Sequence, residues 1–250
     1  MPPLPPVKEA VLIAEVHGRM IPIVGYPDQQ AEDLRKKKTV MWKEAKLCLS
    51  HPPGKMTPTL AVTLGDAKTC GELWRRVGEA SGFGKITRLH CLGEGASWIS
   101  HQMEIQLGAQ ASYMIDIFHV YEYLTPVAAQ LGDAGQAWLE GQKKCLLASP
   151  SQSVLNALKP LAAANDPDAS AATCLRYLSA RIDPLDYAKA IAQNLPIGSG
   201  EVESAHRYVI QERLKLAGAW WEENNAQAML NLRSARANHR WGDYWKAKAA

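Results

Sequence analysis

The N-terminal part of the chain carries two short apolar stretches separated by a polar segment that contains glycine. The apolar stretches cover residues 11–13 and 20–24, and His17-Gly18-Arg19 lies between them. A glycine between two strand-like stretches is typical of a turn. The pattern therefore predicts a β-hairpin over residues 10–24.

The segments that follow predict two further strands and then a helix. Residues 42–49 alternate apolar and charged positions, and residues 57–64 are rich in β-forming side chains, so each predicts a strand. Asp66 is a typical helix-capping residue and Gly82 a typical helix-ending one. Together they predict a helix over residues 66–81.

Strand and helix patterns continue to alternate up to about residue 118. Residues 88–92 predict a strand, residues 96–107 a helix, and residues 112–118 another strand. The order is then three neighbouring strands, helix, strand, helix and strand. This order is typical of a mixed sheet with helices packed on it, so the sequence predicts an α/β fold.

The strand signal is lost from residue 120 to residue 193, where leucine and alanine recur at helical spacing, interrupted by prolines. Two further helices are predicted over residues 200–216 and 222–238. A helical block between a sheet and the last helices indicates an inserted helical subdomain.

The overall composition is that of a globular chain. It has 250 residues, a formal net charge of +3 and five cysteines. This length can bury a sizeable core, and an odd number of cysteines without paired spacing argues against a closed disulfide framework. No apolar run approaches the roughly 20 residues of a membrane-spanning helix, and the first residues lack the layout of a secretion signal. We therefore expect a cytoplasmic protein with no membrane partner.

Positive charge is concentrated in two parts of the chain. Such clusters bind phosphate backbones by releasing counterions, even where the whole chain is nearly neutral. The alternative is an ordinary solvated surface. The candidate DNA-binding residues are Arg35, Lys36, Lys37, Lys38, Arg207 and Arg213.

A glycine turn leads into the second basic part of the chain. Gly198 and Gly200 permit backbone angles that other residues avoid, and Glu203 follows just inside the predicted helix. A carboxylate at the start of a helix and surrounded by cations is well suited to hold a metal ion against a phosphate. An ordinary junction between a loop and a helix would have the same composition.

Five motifs in a fixed order resemble those of bacterial insertion-sequence DDE transposases of the Kra group. The resemblance extends from about residue 11 to residue 245. It implies an RNase H-like core, divided as residues 1–119, a helical insertion over 120–195, and C-terminal helices over 196–250 that complete the core. The motifs are VHGRMIPIV at 16–24, WKEA at 42–45, GEGASWI at 93–99, DIFHVYEYL at 116–124 and GSGEVES at 198–204.

The resemblance also implies a site in which three carboxylates hold two divalent ions, Mg²⁺ or Mn²⁺, against a DNA phosphate. At the three corresponding positions this chain has His17, Glu94 and Glu203. Glu203 is unaltered, Glu94 replaces an aspartate, and both are the expected metal ligands. His17 replaces the first aspartate, and a neutral imidazole has one lone pair and cannot bridge two hard cations. We therefore expect metal-dependent strand cleavage and transfer to be impaired or absent.

The implied partner is double-stranded DNA at the ends of a transposon, bound by a homo-oligomer in the nucleoid. Relatives usually carry a DNA-binding region ahead of the core, which we expect to be lost or to lie on another reading frame. The alternative function is that of a catalytically dead DNA-binding or assembly protein that retains the fold.

Three local alternatives stay open. Glu15 lies two residues before His17 and on a strand would point to the same face, which allows a shifted metal ion. Asp116 and His119 are residue types that bind zinc or manganese, although His119 also suits a structural role. Trp220-Trp221 either stacks on nucleic-acid bases or packs at least one ring in the interior.

Overall fold

The fold is α/β, as predicted, and consists of a five-stranded mixed sheet with flanking helices. The computed structural model describes residues 9–27, 33, 36–55, 57–148, 151–164, 169–181 and 183–249. The strands are hydrogen-bonded in the order β3-β2-β1-β4-β5, and the pairs β1–β2 and β2–β3 are antiparallel. The strands are β1 Val11–Gly25, β2 Thr39–His51, β3 Thr59–Thr63, β4 Arg88–Gly93 and β5 Ala111–Ile115.

The hairpin predicted over residues 10–24 is wrong, because β1 is one uninterrupted strand of 15 residues. Its pairing with β2 runs from Ile13 opposite His51 to Gly25 opposite Thr39. Gly18 serves a close approach rather than a turn, since a Cβ atom there would lie 1.9 Å from Oε1 of Glu44 on β2.

Helix α1 (Ala67–Ser81) confirms the helix predicted between Asp66 and Gly82. The Asp66 carboxylate caps the helix by accepting a hydrogen bond from the Thr69 amide at 2.8 Å. Gly82 ends the helix in the left-handed conformation at φ 115°, which costs a glycine little. The helix packs on β2 and β3 through buried side chains such as Trp74.

The remaining helices follow in the predicted order. No described residue between 120 and 193 belongs to a strand, in agreement with the helical block expected there. None of the helices in the described part of the chain is both long and apolar enough to cross a membrane. The helices are α2 Ser97–Leu107, α3 Ile117–Gln130, α4 Gly135–Ala148, α5 Gln152–Ala163, α6 Ser170–Ser179, α7 Tyr187–Ala192, α8 Gly200–Ala205, α9 Glu212–Leu214, α10 Glu223–Ala237 and α11 Trp241–Ala249.

The described part of the chain forms two compact units. Unit 1 comprises the described residues among 9–89, 101–111 and 200–249. Unit 2 comprises residues 90–100 and 112–199.

In unit 1, a helical run covers one face of β1 and β2, and α10 covers β3. The run consists of α8, a π-helical turn over His206–Gln211, and α9.

Two carboxamide side chains from the α10 region bind the backbone of β3 and the residue that follows it. Asn238 accepts from the Leu60 amide at 2.9 Å and donates to the Leu60 carbonyl at 2.8 Å. Gln227 accepts from the Leu64 amide at 2.7 Å and donates to the Val62 carbonyl at 3.3 Å.

In unit 2, β5 ends at Ile115, three residues earlier than the strand predicted over 112–118. Asp116 caps α3 by accepting from the Phe118 amide at 2.6 Å, so the chain turns into a helix there. The same buried carboxylate accepts from the Ser199 amide at 2.6 Å and from the Ser199 hydroxyl. One aspartate therefore fixes both the start of α3 and the turn that ends unit 2.

We expect Asp116→Ala to lower the free energy of unfolding by roughly 3 kcal/mol, because buried donors lose a charged acceptor. Asp66→Ala is the matched control, since Asp66 also caps a helix but is exposed. The control should lower the free energy of unfolding clearly less, as measured by urea unfolding monitored by circular dichroism. Equal losses in the two variants would contradict the role assigned to Asp116.

Candidate functional site

Three polar side chains, Glu15, His17 and Arg19, follow one another along the face of β1 that packs against the helical run of unit 1. We call them the β1 polar stripe. Glu15 accepts a hydrogen bond from the Val202 amide of α8 at 2.8 Å. His17 and Arg19 both contact Glu203 of the same helix. Glu15 and His17 therefore point to the same face, as the alternation of side chains along a strand predicts.

Glu203 is bound through both of its carboxylate oxygens. His17 Nε2 lies 3.1 Å from Oε1, and Arg19 Nη2 donates to Oε2 at 2.5 Å. The Glu203 side chain is 37% exposed, so this ion pair lies at the border between core and solvent. Two of the three residues predicted for the acidic site, His17 and Glu203, are thus brought together, but as partners of each other.

His206, one turn further along the helical run, supports the ring of His17. Its Nε2 lies 3.1 Å from the His17 carbonyl oxygen, which can only accept, so Nε2 carries the proton. The two rings meet edge to face with centroids 5.2 Å apart. Burial, and then the nearby charges of His17 and Arg19, lower the pKa of His206 to about 3. His206 is therefore neutral at physiological pH.

A second cluster, which we call the Glu-His-Glu cluster, combines Glu15, His51 and Glu201. One ligand atom from each residue lies within 4.8 Å of the other two, so the cluster could hold a metal ion. Glu15 and His51 are 2% and 5% exposed. The sequence indicates Glu15 but neither of the other two. Glu201 precedes Glu203 by two residues in the last motif, whereas His51 belongs to no motif and is placed by the register of β2 alone.

The contact between His51 and Glu201 is close but is not a hydrogen bond. Nε2 of His51 lies 2.6 Å from Oε2 of Glu201, a distance typical of an ion pair. The orientation of the two groups, however, gives neither atom a hydrogen bond among the described residues. Nδ1 of His51 lies 2.9 Å from the Pro52 carbonyl oxygen and therefore carries a proton. Nε2 is then able to present its lone pair towards the carboxylates.

Glu94, the remaining predicted ligand, lies in unit 2 in the turn that follows β4, and it is partly buried. The backbone of this turn is held by three side chains. The Tyr113 hydroxyl accepts from the Gly95 amide at 2.9 Å, the Tyr177 hydroxyl donates to the Glu94 carbonyl at 3.1 Å, and Arg181 Nε donates to the Gly95 carbonyl at 2.8 Å. Burial raises the pKa of both tyrosines, which keeps the hydroxyls protonated. Gly95 has a φ of 82°, and a Cβ there would lie 2.0 Å from the Tyr177 hydroxyl oxygen.

Asp116 and His119 do not form a cluster with a third ligand among the described residues. The Asp116 carboxylate is engaged by the cap of α3 and by Ser199. His119 Nδ1 lies 3.1 Å from a carboxylate oxygen of Glu122, and its ring packs edge-on against Tyr123. The structural alternative for His119 therefore fits these contacts better than a metal site.

The candidate DNA-binding residues that the structure describes all lie in unit 1 and include exposed cations beside aromatic rings. Arg35 lies outside the described residues, while Lys36, Lys37, Arg207 and Arg213 are exposed. Lys38 Nζ lies 3.7 Å from the centre of the Trp220 ring, and the Arg213 guanidinium lies 5.5 Å from that of Trp221. Trp220 is 47% exposed, whereas Trp221 packs against the hydrophobic core of unit 1. Trp221 thus fits the packing alternative, and stacking of Trp220 on bases stays a prediction.

A scan against models of protein families matches none of them, and a search of curated proteins finds no match for this chain.

The low pKa of His206 predicts a pH dependence of folding. In the unfolded chain this imidazole takes up a proton below about pH 6.5, whereas in the folded chain it does so only near pH 3. The folded state therefore loses stability as the pH falls through this window, by at most about 1.4 kcal/mol per pH unit. His206→Gln should unfold in urea with a shallower dependence between pH 7 and pH 4 than the wild type. Parallel profiles would show that His206 does not carry the effect.

Proposed function

We propose that this chain is a transposase-type domain that binds DNA and whose metal-dependent strand cleavage and transfer are impaired. The observation that carries the proposal is the binding of both Glu203 oxygens by His17 and Arg19. In this proposal the fold and the DNA-binding surface of an insertion-sequence transposase are retained, and the first acidic position is lost.

The arrangement of the strands supports an RNase H-like assignment. The order β3-β2-β1-β4-β5, with β2 antiparallel to both β1 and β3, is compatible with that fold. The helical block over α3 to α7 separates the sheet from α8 along the chain, as the resemblance implies for an insertion before the last acidic residue. We propose this fold for the chain on these two features together with the five sequence motifs.

The contacts of Glu203 support impaired catalysis. A two-metal site needs carboxylates that are available to bridge hard cations. Here a metal ion at Glu203 would compete with the Arg19 guanidinium for Oε2, and it would find an imidazole instead of a carboxylate at residue 17. In an active relative, the divalent ions held by the acidic residues would supply the chemistry. In this chain both carboxylate oxygens of Glu203 are contacted by side chains of β1.

The cations beside Trp220 and Trp221 support DNA binding. Lysine and arginine side chains neutralise phosphates, and an exposed aromatic ring offers a stacking face for an unpaired base. Lys38 and Arg213 each lie against one of these rings, so cationic and aromatic groups occur together on the surface of unit 1. Lys36 and Lys37 extend the positive charge.

DNA binding should depend on the lysine cluster and on salt. We expect the triple variant Lys36→Ala, Lys37→Ala and Lys38→Ala to bind duplex DNA more weakly in fluorescence anisotropy. The slope of log K against log salt should become shallower by about one unit for each phosphate that the variant no longer neutralises.

The matched control removes the same charge from exposed helical lysines of unit 2, namely Lys144, Lys159 and Lys189. It should bind like the wild type. Glu203→Gln should also retain binding, because this interaction needs no divalent ion. Absence of DNA binding by the wild type at low salt would refute the proposed function.

The wild type is expected to produce no magnesium-dependent nicks in DNA that carries transposon ends. Nicking that disappears in Glu203→Gln would show an active enzyme and contradict the impairment. The double variant His17→Asp with Glu94→Asp restores the acidic residue types that the resemblance implies. Gain of nicking would show that the remaining parts are intact, while continued inactivity would indicate losses elsewhere in the chain.

A further inference from the structure

We infer that the Glu-His-Glu cluster is a binding site for one divalent transition-metal ion, with Zn²⁺ as the best fit. The ligands are Glu15 from β1, His51 from the end of β2 and Glu201 from the first turn of α8. The site is separate from the acidic positions that the motifs assign, and the inference goes beyond the proposed function.

The spacing of the three ligand atoms suits a single ion. Zinc binds imidazole nitrogen and carboxylate oxygen at about 2.0–2.2 Å, which places tetrahedral ligands about 3.4 Å apart. One ligand atom from each residue lies within 4.8 Å of the other two, and Nε2 of His51 lies 2.6 Å from Oε2 of Glu201. An ion would widen this contact slightly and draw Glu15 inward.

The lack of a hydrogen bond at Nε2 of His51 is an independent indication of a ligand. The His51 side chain is more than nine-tenths buried, and its Nε2 has no hydrogen-bond partner among the described residues. A buried polar atom without a hydrogen bond is costly. The atom next to it, Oε2 of Glu201, is also an acceptor. With Nε2 of His51 deprotonated, both atoms are acceptors, and a metal ion between them would satisfy both lone pairs.

The surrounding contacts orient the ligands as in known zinc sites. A histidine that binds metal through one nitrogen commonly donates from the other to a carbonyl or carboxylate. Nδ1 of His51 makes such a contact with the Pro52 carbonyl at 2.9 Å. Glu15 is fixed on its side by the Val202 amide at 2.8 Å. Both buried ligands are thus held in place by backbone groups.

The ligand set selects the class of metal. Imidazole favours zinc and other transition metals, whereas Mg²⁺ prefers an all-oxygen, octahedral shell. One imidazole and two carboxylates leave a fourth position on zinc for water, as in zinc sites with three protein ligands. We therefore expect Zn²⁺ to bind most tightly, Mn²⁺ more weakly and Mg²⁺ weakest.

The test is isothermal titration calorimetry on the full chain, after a chelator has removed any bound metal. We expect one Zn²⁺ per chain and at least about a hundredfold weaker affinity for Mg²⁺. Glu201→Gln should weaken Zn²⁺ binding at least tenfold, and because its side chain is 39% exposed the substitution should leave folding intact. His51→Gln should do the same, and its melting curve in the presence of chelator checks that it is folded.

Two control variants distinguish this site from other histidines and carboxylates. His90→Gln alters a histidine that is also 5% exposed and also bonded to a proline carbonyl, but lies in unit 2. Glu203→Gln alters the neighbouring carboxylate bound by His17. Both controls should retain wild-type Zn²⁺ affinity. Absence of stoichiometric Zn²⁺ binding, or equal binding by all variants, would overturn the inference and leave His51 and Glu201 as an ion pair. Loss of binding in Glu203→Gln alone would overturn it in favour of the His17 position.

X-ray absorption at the zinc edge provides a second readout and should show one imidazole nitrogen in a shell otherwise made of oxygen. DNA binding measured in chelator separates this inference from the proposed function. His51→Gln should bind DNA like the wild type there, whether or not the metal site exists.

Discussion

The architecture of unit 1 depends on the need to satisfy polar side chains on a largely buried strand face. The β1 polar stripe places a carboxylate, an imidazole and a guanidinium where the adjacent positions of β2 are Leu49, Leu47 and Ala45. Polar and charged groups in such surroundings cost several kcal/mol each unless they are paired. The helical run supplies the partners: a backbone amide for Glu15, and Glu203 for the other two side chains.

This constraint gives Glu203 a structural role in addition to any chemical one. In a metal-dependent nuclease or transposase, electrostatic repulsion between carboxylates is relieved by the ions that they bind. Here an opposite charge comes from the chain itself, through Arg19, and the ion pair joins β1 to α8. Among the described residues of unit 1, the group that could hold a metal ion is Glu15, His51 and Glu201, nearer the end of β2.

The helices and strands could be predicted from the sequence where local signals such as capping residues are strong. Prediction failed where contacts with residues distant in the chain determine the structure. Asp66 and Gly82 define α1 by local capping, so that helix was predictable. Gly18 looks like a turn residue, yet it lies in the middle of a strand because the side chain of Glu44 occupies the space beside it. His17 pairs with Glu203 from the far end of the chain, and a repeating pattern of apolar residues cannot predict such a distant contact. His51 was missed for the same reason, since only the strand register brings it next to Glu15.

The carboxamides of Gln227 and Asn238 have a consequence for assembly. Strand β3 is at the edge of the sheet, and the edge of a sheet is a template on which another chain can add a strand. Asn238 binds both backbone groups of Leu60, as an incoming strand would, and Gln227 binds the carbonyl of Val62 and the amide of Leu64. The two side chains therefore bind backbone groups with which a neighbouring strand would otherwise pair. A second chain is therefore not expected to extend the sheet at the hydrogen bonds of β3 that these side chains occupy.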